Sequence, residues 1–298
     1  MGKIAILLST YNGEKYLKAL LESLFLQTYK DFVIIVRDDG SSDNTLNILK
    51  NYLSTGKIYL LEDNNNYGIK KSFEILLKTA LKENIDYFMF CDQDDVWKMN
   101  KVEISFQKIK YKKTPFLLHT DLEVVDKNLR VIDDSFWHYQ SINPMKNKLN
   151  NMLMQNTVTG CSMIINRPLA EKIVTIPNES IMHDWWISLV ASAFGKIEYV
   201  NYSSILYRQH SQNNVGATKF DIHFIFKKLF SNSLNNLFRQ AAVFYNTYFY
   251  DFSLNQKILL EEFIDLPNKN FLEKRKTLLK YDFFKHGIIR NIGLMIKI

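Results

Sequence analysis

The sequence predicts an α/β fold: a mixed, mostly parallel sheet flanked by helices, followed by a helical C-terminal extension. Three observations carry that prediction. Short β-branched runs alternate with helix-period apolar patterns through the first half of the chain. Polar clusters close three of those runs. From about residue 219 onward only helical patterns remain.

Taken in order, Ile4–Leu8 is an apolar run closed by Ser9-Thr10-Tyr11-Asn12-Gly13. Tyr16, Leu17, Leu20, Leu21, Leu24 and Phe25 then recur at helical spacing. Phe32–Val36 is a second run, ended by Asp38-Asp39-Gly40-Ser41-Ser42-Asp43. That cluster can turn the chain and cap a helix carrying Leu46, Leu49 and Leu53. Lys57–Leu61 reads as a third strand, and Gly68 precedes a helix with Phe73, Leu76, Leu77, Ala80 and Leu81 inward. Tyr87–Cys91 is a fourth strand, ending at Asp92-Gln93-Asp94-Asp95. Ligands of open α/β sheets sit beyond the carboxyl ends of strands, so the three polar clusters are expected to converge on one crevice.

After residue 115 the pattern changes. Phe116–Val125 with the Asp126-Lys127-Asn128 turn reads as strand and hairpin, and Thr157–Ile165 as a strand containing Gly160. His183–Phe194 looks helical and Ile197–Tyr207 extended. Phe220–Tyr250, Gln256–Ile264, Phe271–Tyr281 and Ile288–Ile298 read as helices. The expected division is an α/β domain over 1–217, in halves 1–114 and 115–217, and a helical region over 218–298.

Composition narrows the function. The chain has 298 residues, 47% hydrophobic and 23% charged, a globular balance. Ten Gly and five Pro exclude collagen-like and Pro-rich linker readings. No apolar run approaches a bilayer-spanning helix, and the start lacks the features of a secretory signal. Two cysteines, Cys91 and Cys161, cannot make a disulfide framework or a structural zinc site, so a reduced, cytoplasmic location is expected. The net charge of +7 is uneven: residues 1–217 carry 25 Lys/Arg and 24 Asp/Glu, whereas 218–298 carry 13 and 7. The same region holds 16 aromatic residues. A basic, aromatic-rich end points to an anionic partner, either nucleic acid or the cytoplasmic membrane face.

There is no Gly-x-Gly, no phosphate loop, no His-Glu-x-x-His and no Gly-x-Ser-x-Gly. A nucleotide in this crevice would therefore be held by carboxylates and a cation. Asp92-x-Asp94-Asp95 fits that need, because oxygen ligands suit Mg²⁺ or Mn²⁺ over zinc. A solvated acidic turn capping the helix after Trp97 is the plainer reading. Asp38-Asp39 is good turn chemistry, or one carboxylate accepts the N3–H of a pyrimidine. Tyr11 is a surface tyrosine or a ring on which that base stacks. His119, His138, His223 and His286 show no ligand-like spacing.

In combination these clusters resemble the nucleotide-sugar domain of family 2 glycosyltransferases. The series is Ser9-Thr10-Tyr11-Asn12, then Val36-Arg37-Asp38-Asp39-Gly40-Ser41-Ser42-Asp43, then Phe90-Cys91-Asp92-Gln93-Asp94-Asp95-Val96-Trp97. Gln27-Thr28-Tyr29-Lys30-Asp31-Phe32, Thr159-Gly160-Cys161-Ser162, His183-Asp184-Trp185-Trp186, Tyr207-Arg208-Gln209-His210 and Asn213-Asn214-Val215-Gly216 add further matches. The resemblance covers about residues 3–216, and the last segments look most like the bacterial rhamnosyltransferase-like branch. Two departures stand out. Trp97-Lys98-Met99-Asn100-Lys101 lacks the Pro often found there, and His183 stands where many relatives carry Glu.

The resemblance implies a GT-A (Rossmann-like) fold and an inverting, metal-dependent transferase. The donor would be dTDP-rhamnose or a UDP-sugar, and the acceptor a hydroxyl of a glycan or lipid-linked molecule in surface polysaccharide synthesis. It implies that Thr10, Tyr11, Asn12 and Glu14 line the base and ribose pocket and that Asp39 binds the pyrimidine edge. Asp92 would contact the ribose or the water shell of Mn²⁺ or Mg²⁺. Asp94 would ligate that cation with Asp95 supporting, and Asp184 would be general base. Arg208 and His210 would face the diphosphate, His210 as a further metal ligand, with Gly160, His183 and Trp185 in support.

The C-terminal region has two readings: peripheral contact with the inner face of the membrane, or a helical unit packed on the core or forming a homodimer. Two other functions fit the sequence less well. A nucleotidyltransferase would show a Gly-rich phosphate loop after the first strand, and Ser9–Glu14 shows none. A nucleic-acid-binding protein would line its crevice with basic residues, whereas this crevice is expected to be acidic.

Overall fold

In a computed structural model, residues 2–61, 63, 65–173, 175–210 and 233–298 are described. β1 (Ile4–Thr10) shows how the sheet is built. Its Ala5 and Leu7 face one apolar layer, and Ile4, Ile6 and Leu8 face the other. Strands buried on both faces read as continuous apolar runs, which is why the first strands are so plain in the sequence.

β2 (Phe32–Asp38), β3 (Ile58–Leu61) and β4 (Tyr87–Asp92) join β1 in parallel. The order along the sheet is β3-β2-β1-β4-β8-β6-β9-β5, with β7 (Val131–Asp133) on β6. β8 (Met163–Asn166) runs antiparallel between β4 and β6 (Phe116–Val125). β9 (Lys196–Arg208) is parallel to β6, and the two-residue β5 (Val96–Trp97) is antiparallel to β9. The register matters for function. Thr10 pairs with Asp38, and Ser9 with Asp92, so three carboxyl-terminal strand ends lie side by side. The Val96–Leu206 pair brings the loop after β4 against the end of β9.

α1 (Leu17–Phe25), α2 (Thr45–Tyr52) and α4 (Lys101–Ile109) cover one face. α3 (Ile69–Leu81), α6 (Leu149–Met154), α7 (Arg167–Lys172) and α8 (His183–Phe194) cover the other. The short α5 (Phe136–Tyr139) sits over β6. The C-terminal helices α9 (Ser233–Thr247), α10 (Leu254–Ile264), α11 (Phe271–Tyr281) and α12 (Ile288–Lys297) join the α8 layer. Phe244 meets Trp186 edge-on at 5.4 Å, so the aromatic stripe of α9 is core. The first part of the expected Phe220–Tyr250 helix, with Phe220, Phe224, Phe226, Phe230, Lys227 and Lys228, lies outside the described residues, as do His223 and Asn213–Gly216.

One expected element is corrected. Thr157–Ile165 is not one strand: Gly160–Ser162 forms a 3-10 turn, and β8 begins only at Met163. The turn sets Gly160 against α8. A Cβ there would come within 2.7 Å of His183 Nε2 and 3.6 Å of the Asp184 Cβ.

Candidate active site

The β1 and β2 ends are tied by their own side chains. Thr10 Oγ1 donates to Asp38 Oδ1 at 2.7 Å, and the Ser41 N–H donates to Asp38 Oδ2 at 2.8 Å. Asp38 is thus consumed by the turn, which leaves Asp39 for the crevice. Arg37 Nη1, Ser72 Oγ and the Tyr67 N–H donate to Asp39 Oδ1, and the Gly68 N–H donates to Oδ2. Burial alone would raise the Asp39 carboxyl. The hydrogen bonds from Arg37, Tyr67 and Gly68 outweigh it and hold the group below the usual carboxylate range. Asp39 is therefore a preset acceptor, and Oδ2 has capacity for a further donor.

Gln93 ties the β1 end to the β4 end. The Tyr11 N–H donates to Gln93 Oε1 and Gln93 Nε2 donates to the Tyr11 carbonyl, both at 2.8 Å. Asn12, in the left-handed region at φ 48°, accepts the Ser42 N–H on its side chain at 2.9 Å. Glu14 lies outside the crevice; its carboxylate accepts the Asn44 N–H at the start of α2.

The loop after β4 carries the acidic cluster. Asp94 Oδ2 lies 2.7 Å from His210 Nε2. Burial first, then the charges of Asp94 and Asp184, push the Asp92 carboxyl up. Asp95 is fully buried, and its Oδ1 accepts the Arg208 N–H at 3.2 Å. Arg208 departs from the role expected for it. It is buried, and its guanidinium donates to the carbonyls of Asp94 and Lys127 at 2.8 Å and stacks on Tyr16 at 4.5 Å. It braces the acidic loop instead of lining the crevice.

The donor set fits a hard divalent cation. Asp92, Asp94 and His210 line the crevice and offer carboxylate oxygens and one imidazole nitrogen. Asp92, Asp95 and Cys161 also cluster, with ligand atoms within 4.8 Å of one another. Two of those three are fully buried, and burial pushes the Cys161 thiol well up, so it stays protonated. Asp94 and His210, 2.7 Å apart on the open crevice wall, are the better seat.

Asp184 sits in the first turn of α8. Its Oδ2 accepts the Gly160 N–H at 3.1 Å and its Oδ1 accepts the Trp185 N–H at 2.6 Å. Burial pushes the carboxyl up to about 7 despite those donors. His183 packs against Phe73 and Phe90, with ring centroids at 4.1 and 5.8 Å. Burial pushes it down to about 3, so it is neutral, and neither ring nitrogen has a protein partner. Trp185 Nε1 donates to the Met152 carbonyl at 2.6 Å, which fixes the indole in the cavity wall.

The crevice-lining groups share one cavity of about 1140 Å³. Tyr11, Asp39, Asp94 and His210 line it together with Gly160 and Asp184. Several contributors were missed in the sequence. Arg37 is a fully buried charge inside an apolar strand, and that anomaly was the available signal. Gln93 sits inside a noted cluster without a role. Lys101, fully buried 4.4 Å over the Trp97 ring, supplies positive charge behind Asp95. Arg290, Leu294 and Lys297 of α12 complete the cavity wall from the far end of the chain, and nothing local announces that.

Comparison with known proteins now decides the family. Residues 5–173 match the family model described as glycosyl transferase family 2. The chain belongs to glycosyl transferase family 2. Among similar proteins, the dTDP-rhamnosyl transferase RfbG of Shigella flexneri is 28% identical over 221 residues, covering 70% of this chain and 74% of its own. WfgD of Escherichia coli, a UDP-Glc:α-D-GlcNAc-diphosphoundecaprenol β-1,3-glucosyltransferase, is 25% identical over 220 residues, covering 73% and 81%. The crystal structure of TarS 1-349 of S. aureus in complex with UDP matches with a TM-score of 0.61 at 17% identity, covering 99% of this chain and 75% of that one. The mannosyltransferase PcManGT from Pyrobaculum calidifontis, in complex with GDP-Man and Mn²⁺, matches with a TM-score of 0.58 at 14% identity, covering 93% and 73%. The fold is GT-A, and this glycosyltransferase has the mixed, mostly parallel sheet that its sequence predicts.

Proposed function

We propose that this family 2 glycosyltransferase is inverting and cation-dependent. It would move a sugar from dTDP-rhamnose or a UDP-sugar to a hydroxyl of a glycan or lipid-linked acceptor in surface polysaccharide synthesis. One observation supports the reading: the Asp39 carboxylate, the Asp94–His210 pair and the Asp184 carboxylate with its raised pKa line one cavity. The dTDP-rhamnosyl transfer of RfbG and the diphosphoundecaprenol-linked acceptor of WfgD support the donor and acceptor classes. On this reading 1–114 holds the donor, 115–217 the acceptor, and a lipid-linked acceptor places the work at the cytoplasmic face of the membrane.

Asp39 accepts the N3–H of the pyrimidine, and Tyr11 offers its ring to the base. Asp94 and His210, with Asp92 beside them, would hold Mn²⁺ or Mg²⁺, which neutralises charge developing on the leaving diphosphate. Asp184 takes the proton of the acceptor hydroxyl as that oxygen attacks the anomeric carbon from the face opposite the diphosphate. Arg208 holds the acidic loop in place through the Asp94 carbonyl. Gly160 leaves room for the His183 ring beside Asp184.

The test is turnover across a panel of nucleotide sugars with Mn²⁺. Asp94→Ala is expected to abolish both donor hydrolysis and transfer, and Asp184→Asn to stop transfer while nucleotide binding persists. Full transfer by Asp184→Asn would remove it as base. Stabilisation by short DNA, but not by UDP or dTDP with Mn²⁺, would return the protein to the nucleic-acid reading.

A further inference from the structure

α12 has two faces of opposite character. On one, Leu294 is buried in the core, and Arg290, Gly293, Leu294 and Lys297 form part of the catalytic cavity wall. On the other, Ile288, Ile289, Ile292 and Ile296 are between 49 and 79% exposed. Phe271 and Leu272 at the start of α11 are 65 and 67% exposed. Between the two helices runs an open groove of about 790 Å³, lined by Phe271, Phe284, Ile288, Ile292, Met295 and Ile296. Scattered exposed apolar residues need no explanation, but six on two adjacent helices around an apolar groove do.

Charge selects the occupant. Residues 271–298 carry seven Lys/Arg and two acids, Glu273 and Asp282. Lys276 and Lys280 are exposed on α11. A second copy docking face to face would set Lys276 and Lys280 against their own counterparts, like charge against like. An anionic phospholipid surface complements both features, apolar side chains entering the acyl boundary and lysines meeting phosphates. A ten-residue helix is about 15 Å long, half the hydrocarbon core, so it would lie in the interface and not cross it. Among the described residues no helix is long and apolar enough to span a membrane.

We propose that the exposed face of α11 and α12 docks on an anionic phospholipid bilayer. The same helix walls the catalytic cavity, so docking holds the cavity beside the membrane surface, where a lipid-carried acceptor presents its sugar. This last consequence rests on the glycosyltransfer reading; the docking itself does not.

The experiment is co-sedimentation of the full chain with vesicles. One set is phosphatidylcholine alone, and the other has about one third phosphatidylglycerol, enough to give the surface a negative potential. The chain is expected to bind the anionic vesicles, less so at high salt, and the pair Ile292→Glu with Ile296→Glu to weaken that binding by tenfold or more. The melting temperature and nucleotide binding of this variant should match the parent, since neither position lines the cavity. No binding to anionic vesicles, or equal binding by the variant, would overturn the dock. So would a dimer by light scattering that the same substitutions dissolve. Vesicle binding without any nucleotide binding would sustain the dock and remove the catalytic reading.

Discussion

Asp184 has two backbone N–H donors, yet burial pushes it up to about 7. A general base works only when ionised, so transfer should rise with pH through about 7 and level off above it. Asp184→Asn should remove that limb and lower kcat by about two to four orders of magnitude, measured as kcat/KM against pH. Arg37 poses the opposite problem, a charge with many partners. Its guanidinium is buried and donates to Asp39, Asp63, Ser72 and the Asn65 carbonyl. Arg37→Met leaves Asp39 buried without its main counter-charge, which should cost about 3–5 kcal/mol in denaturant unfolding. Gly160 is a third residue-scale test. A Cβ would come within 2.7 Å of His183 Nε2, and that ring is packed on Phe73 and Phe90, so Gly160→Ala should impair transfer while leaving nucleotide binding close to normal. The residues Asp39, Asp94 and Asp184 were legible because each sits in a cluster at a strand or helix end. Arg208 was legible as a residue but not in its direction, since a sequence cannot say whether a guanidinium points at a ligand or at carbonyls.

α3 connects the donor site to the acceptor half. Its Glu74 accepts from Lys71, Lys78, Thr175 and the Ile176 N–H. Burial would raise this carboxyl, but the lysine and N–H partners bring it down to about 2. A depressed folded pKa contributes stability that is full above the unfolded value near 4.5 and is lost as pH falls toward 2. Glu74→Gln should therefore cost about 1–3 kcal/mol at pH 7 and make little difference at pH 2, read by thermal melts across that range. At this scale legibility followed length. Strands of six or seven residues with a five-residue apolar run, and helices such as α3 and α8, have enough period to be seen. The two-residue β5 and the short α5, α6 and α7 do not, and β5 exists only because β9 is there to pair with it. The Gly160 turn was hidden because its cause, the side of α8, lies more than twenty residues away.

At the scale of the molecule, the parallel register of β1, β2 and β4 turns three distant loops into one site. That convergence was readable from the alternation of strands and helices alone. For the described part of the expected Phe220–Tyr250 helix, α9, the apolar face at helical spacing left packing and membrane contact both open, and Leu234, Leu237 and Phe244 are packed in the core. The contribution of α12 to the cavity was not readable, because it depends on how the C-terminal helices wrap back over the sheet. The central claim is that these loops bind a pyrimidine nucleoside diphosphate through a divalent cation held at Asp94. A calorimetric titration of UDP and dTDP into the protein and its Asp94→Ala variant, each with and without Mn²⁺, tests it most directly. The account predicts binding at least tenfold tighter with Mn²⁺ for the parent, and no Mn²⁺ dependence for the variant. Equal affinity with and without the ion in the parent, or an undiminished Mn²⁺ effect in the variant, would contradict it.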